Sequence, residues 1–353
     1  MDRPWLLYGA YGYTGRLIAQ VAVERGLRPV LAGRNPNRIR VLAERLNLDY
    51  RTFSLSNADG IRRGLSGMVA VLHAAGPFSQ TYRPMAEACL DTGTHYLDIT
   101  GEIDVFEALH RLDGRARQAS IVLLPGVGFD VVPTDCAAAR ATERIAHPTH
   151  LDIAFHATGS ASPGTTKTMI ENFGRPGRER RDGQIVDVPA GSITRQIPFT
   201  DRERHAVCIP WGDVSAAWYS TGVPNIRVYL AVSPSRLRKL SRVSRARRLF
   251  AARPVQQLLK WYVKRTVKGP NAQELEHGMA RVWCQARNEE HELSTVELTT
   301  PNGYALTADS AVSAVQALLA DSYAGPAAGT LTPSRAFGHS FVDTLRGVSW
   351  SLR

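Results

Sequence analysis

A short apolar run, Trp5-Leu6-Leu7-Tyr8, leads directly into Gly9-Ala10-Tyr11-Gly12-Tyr13-Thr14-Gly15, after which apolar residues recur at helical spacing. That order is strand, tight turn, helix. Gly9 lets the chain turn sharply, Gly12 lets backbone approach a pyrophosphate with no side chain between, and Gly15 lets the helix pack close to the strand. The helix start offers unpaired N–H groups and a positive dipole end to phosphate. With 29 glycines in the chain, a plain structural turn is the competing reading. The flanking strand and helix favour dinucleotide binding, with Tyr11, Tyr13 and Thr14 lining the turn.

The next strand, Arg28 to Gly33, ends in Arg34-Asn35. An NAD-specific protein usually carries an acid there, bonded to the ribose hydroxyls. Here Arg34 occupies the position and Arg38 follows one helical turn later. Guanidinium groups pair bidentately with a 2′-phosphate, so the expected cofactor is NADP(H); two solvated arginines are the alternative. Asn35-Pro36 is a good N-cap and N1 pair for a helix through about Leu46.

Strands and helices alternate onward. Strands are expected at 50–55, 69–75, 95–99 and 121–124, with helices at 57–65, 84–92 and 104–119. This pattern specifies an α/β fold, an N-terminal Rossmann doubly wound parallel sheet. Ligands bind such sheets beyond the carboxyl ends of the strands. From about Leu151 several strands follow with no helix between them, including 192–198, 217–219 and 225–232, so a second α+β domain built on a mixed sheet is expected. The stretch 174–187, rich in glycine, proline and charge, reads as a mobile loop. Ala308 to Asp321 and Arg335 to Arg346 read as helices. The expected domains are 1–135, 136–303 (with a basic helical segment at 234–268) and 304–353.

The formal charge of +11 is local. Twelve Lys and Arg and no acid fall between Arg236 and Lys268; the remainder holds 31 basic against 32 acidic residues. Leu258, Leu259, Tyr262 and Val263 alternate with a row of Lys260, Lys264 and Lys268, which describes a cationic amphipathic helix with Trp261 at its boundary. Three readings stay open: a core helix with a solvated face, a dock for an acidic partner, or a seat on an anionic membrane surface. Nucleic acid is not expected, since no recognition fold accompanies the charge. No apolar run is long enough to span a bilayer, and four residues before the first strand leave no room for a leader. The cysteines, Cys89, Cys136, Cys208 and Cys284, are dispersed and read as reduced thiols. A cytoplasmic protein, peripheral to a membrane if the basic helix is an anchor, is the expectation.

The glycine turn, Gly33-Arg34-Asn35-Pro36, Gly76-Pro77-Phe78, His95-Tyr96-Leu97-Asp98-Ile99-Thr100-Gly101-Glu102 and Pro125-Gly126-Val127-Gly128-Phe129-Asp130 resemble the saccharopine dehydrogenase-like oxidoreductases, nearest the trans-acting enoyl reductases of polyketide and lipid assembly. Gly164-Thr165-Thr166-Lys167-Thr168, Gly303 to Ala308 and Thr332 to Gly338 extend the resemblance over nearly the whole chain. It implies an NADP-binding Rossmann domain, a second domain, and C-terminal helices returning to the first. It also implies an acyl substrate, carried by an acidic acyl carrier protein if the enzyme acts in trans.

A nicotinamide reductase needs a hydride face, a polarising donor and often a proton source. Ala75, Gly76, Pro77 and Phe78, ending the fourth strand, are placed to meet the nicotinamide ribose. Tyr96, Glu102 and Asp130 are candidate proton donors, and Lys167 a candidate anion or carbonyl contact at a helix start. Against these stand a packed tyrosine, an N-capping Asp130 and a solvated lysine. Hydrolase, phosphoryl-transfer and metal-ligand motifs are missing. The leading expectation is an NADPH-dependent reductase of a C=C bond. A C=N reductase acting on an amino-acid-like substrate and a non-catalytic membrane-associated NADP-binding adaptor are the alternatives. A homodimer is expected through the sheet of the second domain.

Overall fold

In the computed structural model, residues 3–351 are described except 163, 167–169, 171–175, 234–254, 256, 258, 260–262, 264–265 and 268. Lys167, Trp261, Lys260, Lys264 and Lys268 therefore lie outside the described residues. No helix among those described is long and apolar enough to cross a membrane. The chain divides into two compact units, 1–132 with 304–346, and 133–303 with 347–353. The last seven residues thus belong to the second unit rather than to the returning C-terminal segment.

The first unit holds β1 (Trp5–Tyr8), α1 (Tyr13–Glu24), β2 (Val30–Gly33), α2 (Pro36–Leu46), β3 (Tyr50–Thr52), α3 (Ala58–Leu65), β4 (Ala70–His73), α4 (Phe78–Thr92), β5 (His95–Asp98), α5 (Ile103–His110), α6 (Asp113–Gln118) and β6 (Val122–Leu124). The α/β fold is a seven-stranded sheet ordered β15-β6-β5-β4-β1-β2-β3, with β15 (Gly329–Thr330) at its edge. Every pairing in it is parallel. The order reverses between β1 and β4, so a crevice opens at their carboxyl ends. Leu6, Leu7, Val71 and Leu72 are fully buried, as a parallel sheet covered on both faces requires. Met85 and Cys89 of α4 and Leu109 of α5 pack with Leu6, Val71 and Tyr96 on one face.

Three local expectations change. The helix expected from Pro84 begins at Phe78, with Pro84 inside it, because a side chain described below holds its first turn. The long helix expected over 104–119 is two, α5 and α6. The segment read as a loop over 174–187 contains the hairpin β8 (Gly177–Arg181) and β9 (Gln184–Val188). Its turn is Asp182-Gly183, with φ 49° and 77°. Positive φ at both central residues matches the right-handed twist of the strands, and Asp-Gly is the pair that adopts it.

The second unit contains α7 from Val132 to Thr142 (with Val132 at the boundary), β7 (His150–Ala157), the β8–β9 hairpin, β10 (Thr194–Pro198), β11 (Glu203–Cys208), α8 (Asp213–Thr221), β12 (Asn225–Ala231), α9 (Ala272–His277), β13 (Met279–Arg287), β14 (Leu293–Pro301) and β16 (Ser349–Ser351). Its sheet runs β10-β11-β12-β7-β13-β14-β16 with β8 and β9 attached beside β12. Only β12–β7 is parallel, so the sheet is mixed. Residues 217–219, read as a strand, lie in α8: Val214 to Ala217 are buried and Gly222, at φ 73°, ends the helix. A left-handed glycine is the common helix stop. Back in the first unit, α10 (Gly303–Leu318, from Tyr304) is followed by the short α11 (Pro333–Phe337) and a 3₁₀ turn where a second C-terminal helix was expected.

Candidate active site at the carboxyl edge of the parallel sheet

The turn after β1 is built for close approach. Gly12 N–H donates to Gly9 O at 2.9 Å, and Arg16 N–H to Gly12 O at 3.0 Å opens α1. Gly9 sits at φ 84°, and a Cβ there would stand 2.9 Å from Ala74 and Ala75 backbone. A Cβ on Gly15 would come within 2.3 Å of Gly9 O. The α1 start has no side-chain cap and no acid in its first turn, so its positive dipole end suits an anion. Tyr13 meets Tyr304 edge-on at 5.2 Å.

Beyond β2, the Tyr11 ring lies against Gly33, where a Cβ would be 2.5 Å from it. The Arg38 guanidinium stands over that ring at 4.9 Å. Arg34, Asn35 and Arg38 are exposed, and among the described residues no carboxylate pairs with either arginine. Asn35 Oδ1 accepts from Arg38 N–H at 3.0 Å, the cap its sequence announces. An uncapped helix start, a glycine cradle and two unneutralised guanidiniums fit the pyrophosphate and 2′-phosphate of NADP(H).

At the ends of β4, β5 and β6 lie the other candidates. Gly76 is exposed and its bond to Pro77 is cis. Tyr96 is fully buried and donates its hydroxyl to Asp98 Oδ2 at 2.6 Å. Burial, and then the Asp98 charge, push the phenol well above its ordinary range. Asp98 Oδ1 accepts from Thr100 N–H at 2.9 Å and Gly126 N–H at 3.0 Å, so this side chain ties the β5 loop to the β6 loop. Burial raises its carboxyl to about 6, opposed by those bonds. Glu102 accepts from the amides of Phe78 at 2.8 Å and Ser79 at 3.0 Å. Both of its oxygens are thereby engaged at the start of α4.

Asp130 is half-buried, with its carboxylate against Gly101, where a Cβ would stand 2.8 Å from Oδ2. Burial raises it to about 7. Its loop is held in the first unit: Val127 N–H donates to Asp98 O at 2.8 Å, Ser310 Oγ to Val127 O at 2.8 Å, and Phe129 N–H to Thr307 Oγ1 at 3.0 Å.

Sequence reasoning missed His73 and Thr81. His73, ending β4, is fully buried, and its Nε2 lies 3.1 Å from Thr81 Oγ1. Burial drives its imidazole down to about 3, so it is neutral. A histidine at a strand end was a visible signal; Thr81 gave none, because the helix carrying it was expected to start later.

Residues 5–124 match the saccharopine dehydrogenase NADP binding domain. The matched residues run from β1 through β6 and include the glycine turn and Arg34, so the chain carries an NADP-binding domain similar to that of saccharopine dehydrogenases. It is 34% identical over 140 residues to a trans-acting enoyl reductase of Mycobacterium leprae, covering 37% of this chain and 33% of that protein. It is 30% identical over 147 residues to a probable mitochondrial saccharopine dehydrogenase-like oxidoreductase of Arabidopsis thaliana, covering 37% of this chain and 32% of that protein. These matches thus span about a third of the length of those relatives. The fold of this chain is similar to that of the saccharopine dehydrogenase (L-Glu forming) of Saccharomyces cerevisiae, with a TM-score of 0.65 at 10% identity over 99% of this chain and 100% of that one.

Proposed function

We propose that this protein is an oxidoreductase that reduces a carbon–carbon double bond conjugated to an acyl carbonyl, with NADPH as reductant and Asp130 as proton donor. What supports the chemistry is the place of the Asp130 carboxyl: it follows β6 at the carboxyl edge of the sheet and lies against Gly101, where burial raises it from the ordinary carboxylate range. A catalytic acid works best with a pKa near the operating pH, because it then holds a proton it can readily release. NADPH, when bound, would supply the hydride that the β-carbon receives. Asp130 adds its proton to the α-carbon, so the double bond gains two hydrogens, and the carboxylate left behind is reprotonated from water. Gly9, Gly12, Gly15 and the α1 amides hold the pyrophosphate, and Arg34 and Arg38 the 2′-phosphate. Glu102 accepts an amide on each oxygen and Tyr96 is fully buried against Asp98, which argues against either as donor. The designation of relatives as trans-acting enoyl reductases supports an acyl substrate delivered by a separate protein, with the basic segment 236–268 supplying docking charge.

The test is NADPH oxidation with an α,β-unsaturated acyl thioester and, in parallel, with a cyclic imine. Turnover of the thioester is expected, with kcat falling about tenfold per pH unit above about 7 as Asp130 loses its proton. Asp130→Asn is expected to lower kcat by about 10²-fold or more and to flatten that limb. Turnover of the imine alone would overturn the C=C assignment; an unaltered pH limb in Asp130→Asn would overturn the donor.

A further inference from the structure

The segment from Ala75 to Ser79 links β4 to α4 beside the crevice, and side chains from two other positions hold its backbone. Thr81 Oγ1 donates toward Ala75 O at 2.7 Å and lies 3.1 Å from Pro77 O. A hydroxyl has one proton, and these carbonyls take it. The hydroxyl oxygen must therefore accept from His73 Nε2 at 3.1 Å, which fixes the neutral Nε2–H tautomer. The remaining ring nitrogen, Nδ1, is buried with no hydrogen-bond partner among the described residues. On the other side of the link, Glu102 takes the amides of Phe78 and Ser79, one on each oxygen.

These contacts also distinguish two helix starts. The α1 start carries no cap and no acid, whereas the α4 start already faces a carboxylate. An anionic side chain there satisfies orphan amides and offsets the positive dipole end. A phosphate approaching the crevice finds α1 open and α4 filled.

We propose that Glu102 and the His73–Thr81 pair are positioning residues that preset the Ala75–Ser79 link as the platform for the nicotinamide half of NADP(H). They act through backbone and do not themselves touch the reacting atoms. Glu102 additionally occupies the α4 start, leaving α1 as the pyrophosphate seat. This inference rests on the cofactor reading but not on which double bond is reduced.

The test compares two probes, NADPH and 2′,5′-ADP, which carries only the adenosine end of the cofactor. Direct titrations are made with the full-length protein and with Thr81→Val, Thr81→Ser and Glu102→Gln. Thr81→Val and Glu102→Gln are expected to weaken NADPH about tenfold while leaving 2′,5′-ADP unchanged; Thr81→Ser, which keeps the hydroxyl, is expected to restore NADPH affinity. Equal weakening of both probes would overturn the proposal by showing general damage to the domain. Unchanged NADPH affinity in both variants would overturn it by showing an idle clamp. Neither titration uses a substrate, so failure of thioester turnover would leave the inference standing.

Discussion

The two sheets bury an apolar surface by opposite means. In the parallel sheet the central strands are apolar throughout, and polar chemistry is pushed to strand ends, where Asp98, Glu102 and Asp130 gather. In the mixed sheet, charge is built into the strands. Glu297 of β14, fully buried, accepts from Thr200 N–H at 2.8 Å and Thr200 Oγ1 at 2.7 Å, with Arg281 of β13 at 3.4 Å. Glu179 of β8 is buried with Arg227 and Arg181 against it. A sheet covered on both faces leaves only its edge for function, whereas a mixed sheet can spend polar groups on joining its own strands. Changes at the edge of the first should therefore alter ligand affinity, and changes within the second should alter stability.

The sharpest way to break this contrast pairs one substitution from each sheet. Gly15→Val drives a Cβ into Gly9 O and should reduce NADPH affinity by about 10²-fold or more, read by titration with circular dichroism as a check on folding. Glu297→Ala leaves the two Thr200 donors without their acceptor, while Arg281 keeps Asp201, and should cost about 1–3 kcal/mol in denaturant unfolding. NADPH affinity of the folded protein should be unchanged. A loss of affinity in Glu297→Ala as large as in Gly15→Val would abolish the distinction.

A smaller effect is expected from Arg34→Ala. It removes a guanidinium that has no carboxylate partner among the described residues, so stability should hold while the preference for NADPH over NADH falls about tenfold. An unchanged preference would place the 2′-phosphate elsewhere. The smallest effect concerns pH. The His73 imidazole is depressed from 6.5 to about 3 by burial, so the folded state binds its proton less readily than the unfolded chain. Its contribution is present above about 6.5 and is lost as pH falls toward about 3. His73→Phe should lessen the decline in Tm across that interval; an identical decline would assign the acid sensitivity to other groups.

Legibility followed the range of the interactions. The glycine turn and the Asn35-Pro36 cap were readable because each is settled within a few residues. The Asp182-Gly183 hairpin was equally local and was overlooked amid surrounding charge. The start of α4 was not readable, since the side chain that stabilises it, Glu102, lies 24 residues from Phe78. The helical state of 217–219 depended on burial of Val214 to Ala217, which no window of propensity reports.

The sequence by itself determined a strand–turn–helix that accepts a dinucleotide, arginines in place of the usual acid after β2, and an α/β alternation, because these rest on backbone freedom, charge and periodicity within short spans. Tertiary structure alone decided how the polar groups at the edge are engaged. Tyr96, Glu102 and Asp130 are similar polar candidates on paper. Folding commits Tyr96 to Asp98, commits Glu102 to the amides of α4, and raises Asp130 to about 7 beside Gly101. Hydrogen bonding and desolvation, both set by neighbours distant in sequence, assign these groups their different chemistry.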